Sequence, residues 1–187
     1  KIISASNALT VIGFFIGMEM ESQSESSKRR KPDKERLSLI LYIDGASRGN
    51  PGKAGAGVWI TNEGGKKMVA MSRYLGYKTN NEAEYWALLL GLREAKRLGG
   101  RSIHIFTDSE LIERQIKGLY RVRDLNLKVL YKKAIENLKE FSSSEIESIP
   151  REQNQEADRL ANQAIQRKIA VEKEKGGIRR GTGGRSS

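Results

Sequence analysis

The period of the apolar positions changes several times along the chain, and each change marks an element. Leu37–Ile43 is an apolar, β-branched run ending in Asp44-Gly45, which predicts a strand. A glycine-rich stretch, Gly45–Gly57, interrupts the pattern. Ala56–Thr61 and Lys66–Leu75 flank Asn62-Glu63-Gly64-Gly65, a hairpin signal. Thr79 and Glu82 then have capping-box spacing, in which each side chain satisfies an orphan N–H of a helix start. Glu84, Leu88, Gly91 and Ala95 share one stripe of that helix, and Gly99-Gly100 ends it. Ser102–Thr107 is a short strand stopping at Asp108. A short helix is predicted over 109–117 and a longer one over 125–140, with Leu127, Tyr131, Ala134 and Leu138 on its apolar stripe. Glu145–Ile149 is the last strand, closed by Pro150. Asn154 can cap a final helix whose core face is Ala157, Leu160, Ala161, Ala164 and Ile165.

The order is β-β-β-α-β-α-α-β-α. The opening meander predicts antiparallel pairing, and the later strand-helix-strand steps predict parallel pairing. The expected class is α/β, with a mixed five-stranded sheet (three antiparallel strands, then two parallel) and helices on both faces.

The flanks lack this patterning. Residues 1–36 are expected to be an N-terminal extension, disordered or partly extraneous. Its Leu9–Gly17 run is too short to span a bilayer and has the size of a signal-peptide core. Met18 and Met20 follow directly, so a natural start near them is expected. Residues 37–168 form the predicted domain, and residues 169–187 a basic flexible tail.

Charge narrows the choice of partner. The chain carries a net +11, and residues 38–168 alone hold 22 basic against 16 acidic groups. A basic domain favours a polyanion, with nucleic acid the commonest, although charge also serves solubility. No cysteine is present and His104 is the sole histidine. That excludes disulfide scaffolds, cysteine-held zinc, His-based triads and multi-histidine metal sites. Any metal must sit on carboxylates, which points to Mg²⁺ or Mn²⁺. A cytoplasmic monomer without membrane contact is expected.

Four acids stand where a site would form. Asp44 and Asp108 end predicted strands, while Glu84 and Asp158 lie in the first turns of predicted helices. Ligands in α/β sheets gather at such ends. Each acid also has an ordinary structural explanation. Asp44-Gly45 is a turn signal, Asn81 and Glu84 repeat the capping-box spacing, Asp108-Ser109 can cap a helix, and Asp158 suits a helix dipole. Brought together, four carboxylates would repel unless they shared cations. Two divalent ions about 3.5–4 Å apart are the usual answer in nucleases.

Four motifs carry a resemblance. Tyr42–Gly52 (YIDGASRGNPG), Thr79–Tyr85 (TNNEAEY), Phe106–Ser109 (FTDS) and Pro150–Ala161 (PREQNQEADRLA) resemble, in order, those of ribonuclease H type 1. The likeness spans about residues 37–168. It implies a ribonuclease H-like fold and an endonuclease that hydrolyses the RNA strand of RNA–DNA hybrids. It implies two Mg²⁺ ions, or Mn²⁺, on Asp44, Glu84, Asp108 and Asp158, leaving 5′-phosphate and 3′-hydroxyl ends. It also implies hybrid contacts from Asn50, Asn80 and Asn81 in the minor groove, and a DNA-phosphate contact at Thr79. Ser109, Arg151 and Asn154 complete the expected substrate-binding set. A non-catalytic nucleic-acid-binding module on the same fold is the alternative.

The chain departs from many relatives in three places. Only Gly118–Asp124 separates the two middle helices, so the basic handle that grips the hybrid is missing or minimal. Arg121, Arg123, Lys128, Lys132 and Lys133 are its candidate electrostatic substitutes. The loop Pro150–Gln153 has no histidine, leaving Arg151, Glu152 or Asn154 to substitute. Glu110 stands where some relatives have glutamine. The glycines of 45–57 are expected to allow a tight turn and a close approach of backbone to the hybrid.

Overall fold

The structure is a computed structural model and describes residues 37–178. The expectations for residues 1–36 and 179–187 lie outside the described residues.

The first strand, β1 (Ser38–Gly49), pairs antiparallel with β2 (Gly52–Asn62), which pairs antiparallel with β3 (Lys67–Lys78). On its other side β1 pairs in parallel with β4 (Ser102–Thr107), and β4 with β5 (Ser143–Ser148). The order across the sheet is β3-β2-β1-β4-β5, the expected mixed arrangement.

Helix α1 (Asn80–Arg97) covers one face, where Leu41, Ile43 and Val58 approach its Gly91. Helix α3 (Leu125–Leu138) packs against α1, and the short α2 (Glu110–Ile116) contacts β4 and β5. Helix α4 (Gln155–Ile178) crosses the opposite face over β2, β1 and β3. The core is the alternate residues of the strands, such as Leu39, Leu41, Ile43, Val58, Ile60 and Ile105, closed by α1. Leu127, Ala134, Ala157, Leu160, Ala161, Ala164 and Ile165 are buried, as their stripes predict.

Several element boundaries differ from the sequence reading, among them β3, which runs on to Lys78, and three differences bear on the packing. β1 does not stop at Asp44. Its pairing continues from Asp44↔Gly57 to Gly49↔Gly52, so the glycine-rich stretch is a hairpin. Low β-propensity argued for an interruption, but close helix packing needs glycine there. A Cβ on Gly57 would lie 2.0 Å from the Ala157 carbonyl of α4, and one on Gly45 2.1 Å from the Glu84 nitrogen of α1. These close approaches are to the chain's own helices. Second, residues 169–178, expected to open a flexible tail, are the last turns of α4. Lys168 and Lys53 both pair with Glu172, which ties this extension to β2. Third, β5 starts two residues early, at Ser143. Between α2 and α3 there is no helix, as the seven-residue spacing requires.

Candidate active site

The hairpin of β1 and β2 sets Asp44 five residues before the strand's end, on the same ladder that carries Gly45 against α1. Parallel pairing of β1 with β4 then brings Asp108, just past β4, to the same end of the sheet. Thr79 caps α1: its hydroxyl accepts from the Glu82 N–H at 3.2 Å, and Glu82 accepts from the Thr79 N–H at 2.8 Å. This capping box starts the helix at Asn80 and leaves Glu84 free. The rival box of Asn81 and Glu84 does not form. Instead Glu84 turns into the protein and accepts the Gly45 N–H at 3.2 Å.

Asp44, Glu84 and Asp108 each offer a carboxylate oxygen, and these atoms lie within 4.8 Å of one another. They line a polar cleft of about 380 Å³ together with Asn80, Ser109 and Arg151. Asp158 stands beside this trio rather than in it, its carboxylate paired with the Arg151 guanidinium. Asn154 is 1% exposed and was expected to cap α4. Its backbone carbonyl does accept from the Asp158 N–H at 3.1 Å. Its side-chain amide instead donates to the Ile43 carbonyl at 2.9 Å and to Asp108 Oδ1 at 3.1 Å. It sits beneath the cleft and anchors Asp108 to β1.

The other expected site residues lie around the rim. Asn50 accepts the Asn80 N–H at 3.2 Å, which ties the β1–β2 turn to the start of α1. Asn80 and Asn81 are exposed. The Ser109 hydroxyl caps α2 by accepting from the Ile112 N–H at 3.4 Å. Three contributors escaped the sequence reading. The Gly45 N–H holds Glu84. Asn162 lines the cleft four residues after Asp158, and that helical spacing was its available signal. Ser47 donates to the Lys78 carbonyl at 2.8 Å, joining β1 to the end of β3.

Electrostatics set this cluster apart from ordinary surface acids. Burial, then the charges of Asp108 and Asp158, push the Asp44 carboxyl up to about 7. Burial, then Asp44 and Asp108, push Glu84 well above the usual carboxylate range, against the Gly45 N–H and Arg151. Asp44 Oδ2 is buried with no hydrogen-bond partner among the described residues. An orphaned oxygen facing two more carboxylates calls for a cation, and an all-oxygen donor set fits Mg²⁺ or Mn²⁺.

The Asp44 and Glu84 carboxyls both hold protons more tightly in the folded than in the unfolded chain. The stability tied to the Asp44 proton is full below about pH 4 and lost as pH rises through about 7, and Glu84 acts in the same direction. A divalent ion held by the cluster would reverse that loss by replacing the protons. Millimolar Mn²⁺ should therefore raise the melting temperature by several degrees at pH 8 and by about 1 °C or less at pH 4.5. Calorimetry at both pH values checks this; equal shifts would separate metal binding from the cluster.

Comparison with known proteins places this geometry. A family model described as reverse transcriptase-like matches residues 42–164. Ribonuclease HI of Halobacterium salinarum is 41% identical over 125 residues, covering 66% of this chain and 62% of its own length. The bifunctional protein Rv2228c of Mycobacterium tuberculosis is 37% identical over 130 residues, covering 69% of this chain and 36% of its own length. The chain thus spans less than two thirds of either relative. The crystal structure of LC11-RNase H1 in complex with an RNA/DNA hybrid superposes with a TM-score of 0.67 at 40% identity, covering 70% of this chain and 99% of that one. Sheet order, the placing of the acids and these matches agree: the chain belongs to the ribonuclease H family.

Proposed function

We propose that the protein is a divalent-metal-dependent endonuclease that hydrolyses the RNA strand of RNA–DNA hybrids. The observation that carries this reading is the convergence of Asp44, Glu84 and Asp108 in one polar cleft of a ribonuclease H fold. The solved relative bound to an RNA/DNA hybrid supports the choice of substrate.

Asp44, Glu84, Asp108 and Asp158 are the residues that would hold two Mg²⁺ ions, or Mn²⁺. Such ions, when bound, activate water and neutralise charge building on the phosphate. The chain's own groups supply position. The Gly45 N–H aims Glu84, and the Asn154 amide aims Asp108. In the reaction the water oxygen bonds to phosphorus as the P–O3′ bond breaks. The departing 3′ oxygen takes up a proton, which leaves 5′-phosphate and 3′-hydroxyl ends.

Asn80 and Asn81, exposed at the rim, are suited to hydrogen-bond 2′-hydroxyls, the groups that distinguish RNA from DNA. Asn50, which accepts the Asn80 N–H, is assigned to the same minor-groove contact, and Thr79 to an adjoining DNA phosphate. Ser109 and Arg151 reach the phosphate path from the cleft itself. Asn154 acts from beneath, through Asp108. Basic residues after α2 would supply a salt-sensitive grip in place of a handle.

Labelled RNA–DNA hybrid, RNA duplex, DNA duplex and single strands, each with Mg²⁺, Mn²⁺ or chelator, test the reading. Metal-dependent cutting of the RNA strand of the hybrid alone is expected. Hybrid binding without cutting under any metal would leave a binding module instead.

A further inference from the structure

We propose that Arg151 is a resident counter-cation of the carboxylate cluster, which must release Asp158 before a second divalent ion can use that acid. The inference rests on the divalent-metal reading of the same cleft and assigns Arg151 a positioning role within it.

Its basis is where the two side chains sit. Asp44, Glu84 and Asp108 already bring ligand oxygens together, whereas Asp158 is held aside by the Arg151 guanidinium. Arg151 comes from the 3-10 turn Arg151–Gln153, just before α4, and lines the cleft with the trio. Its positive charge also opposes the upward push on both Asp44 and Glu84. It therefore offsets charge across the whole cluster and not at Asp158 alone.

Charge counting shows why the pairing must be temporary. Four ionised carboxylates with Arg151 and one divalent ion carry a net charge of −1. A second divalent ion brings the carboxylates alone to neutrality, and a retained guanidinium would leave +1. The second ion and Arg151 thus compete for one place on Asp158. The arginine is easily displaced, because its side chain is 69% exposed and exposed ion pairs are weak. Once released, it stays tethered at the cleft mouth with a fork of donors matched to phosphate oxygens. Filling the site with metal and freeing a grip on the phosphate become one linked event.

Mn²⁺ binding to the metal-free protein without nucleic acid tests this, read by electron paramagnetic resonance of the free ion. Arg151→Gln should tighten the weaker Mn²⁺ event by about three- to tenfold, on the scale of an exposed ion pair. In an Asp158→Asn background the same change should have less than about a twofold effect, because the competition is for Asp158. Arg151→Lys should fall between wild type and Arg151→Gln. Wild-type binding that Arg151→Gln leaves unchanged or weakens would overturn this proposal alone. Absence of Mn²⁺ binding in both proteins would overturn it together with the metal reading of the site.

Discussion

Asp44→Asn should lower cleavage of hybrid RNA by about a thousandfold or more and, in the same protein, raise thermal stability without metal. The two effects have one cause. Asp44 is 5% exposed, faces two further carboxylates and leaves Oδ2 without a partner. An amide is close to isosteric and removes the charge that makes the cluster costly to fold. It also removes a ligand from a site that acts by holding charge in place. Because Asp44 keeps its proton up to about pH 7, the ionised form weighs against folding above that pH. The expected gain at pH 8 without metal is about 2–4 kcal/mol, or roughly 5–10 °C in melting temperature, and it should vanish below about pH 4. Hybrid affinity should change little. Single-turnover cleavage in Mg²⁺ and melting at pH 4 and pH 8 in chelator measure both halves. Turnover within tenfold of wild type would remove Asp44 from the ligand set, and an unchanged melting point at pH 8 would remove the stored repulsion.

Such a site trades stability for function, and the sequence shows the trade only in part. Asp44, Glu84, Asp108 and Asp158 could be singled out because strand and helix periods place them at element ends. The apolar stripe of α4, from Ala157 to Ile165, was equally legible, since a helix on one sheet face buries one stripe. The glycine stretch misled because it breaks a propensity rule for a tertiary reason: Gly45 and Gly57 let two helices touch the strands. The extension of α4 through 169–178 was invisible for the opposite reason. Residues 170–175 are exposed, so this stretch offers no buried stripe to read. Ion pairs such as Lys53–Glu172 support it, and only the folded chain shows their partners. The pairing of Asp158 with Arg151 and the inward turn of Asn154 join groups across a loop and a sheet, which no local spacing reports. Local pattern singled out the four acids, while their division into a trio and a fourth, differently paired acid came from packing.

Gly45→Ala should cost about 3 kcal/mol or more of stability and about a hundredfold in cleavage, without touching a charge. At this position β1 and α1 are in backbone contact. The added Cβ would lie 2.1 Å from the Glu84 nitrogen and 2.2 Å from the Ala83 carbonyl carbon. No side chain can rotate away to relieve this, so strand and helix must part by about 1 Å. Overpacking of this kind usually costs about 1–3 kcal/mol, and a backbone clash lies at its upper end. For a domain of this size that is roughly 10 °C in melting temperature. The same displacement stretches the 3.2 Å bond from the Gly45 N–H and carries Glu84 away from Asp44 and Asp108. A misplacement of about 1 Å is enough for a hundredfold loss of rate. Gly65→Ala is the matched comparison. Gly65 has φ +75° in the β2–β3 turn and nothing within 4 Å of an added Cβ. It should lose about 1 kcal/mol through backbone strain alone and keep full activity. If Gly45→Ala melts within 2 °C of Gly65→Ala and cuts as fast, then the contact between β1 and α1 does not position Glu84. A large loss confined to Gly45→Ala would mean that the close backbone contact between β1 and α1 is what aims Glu84 into the site.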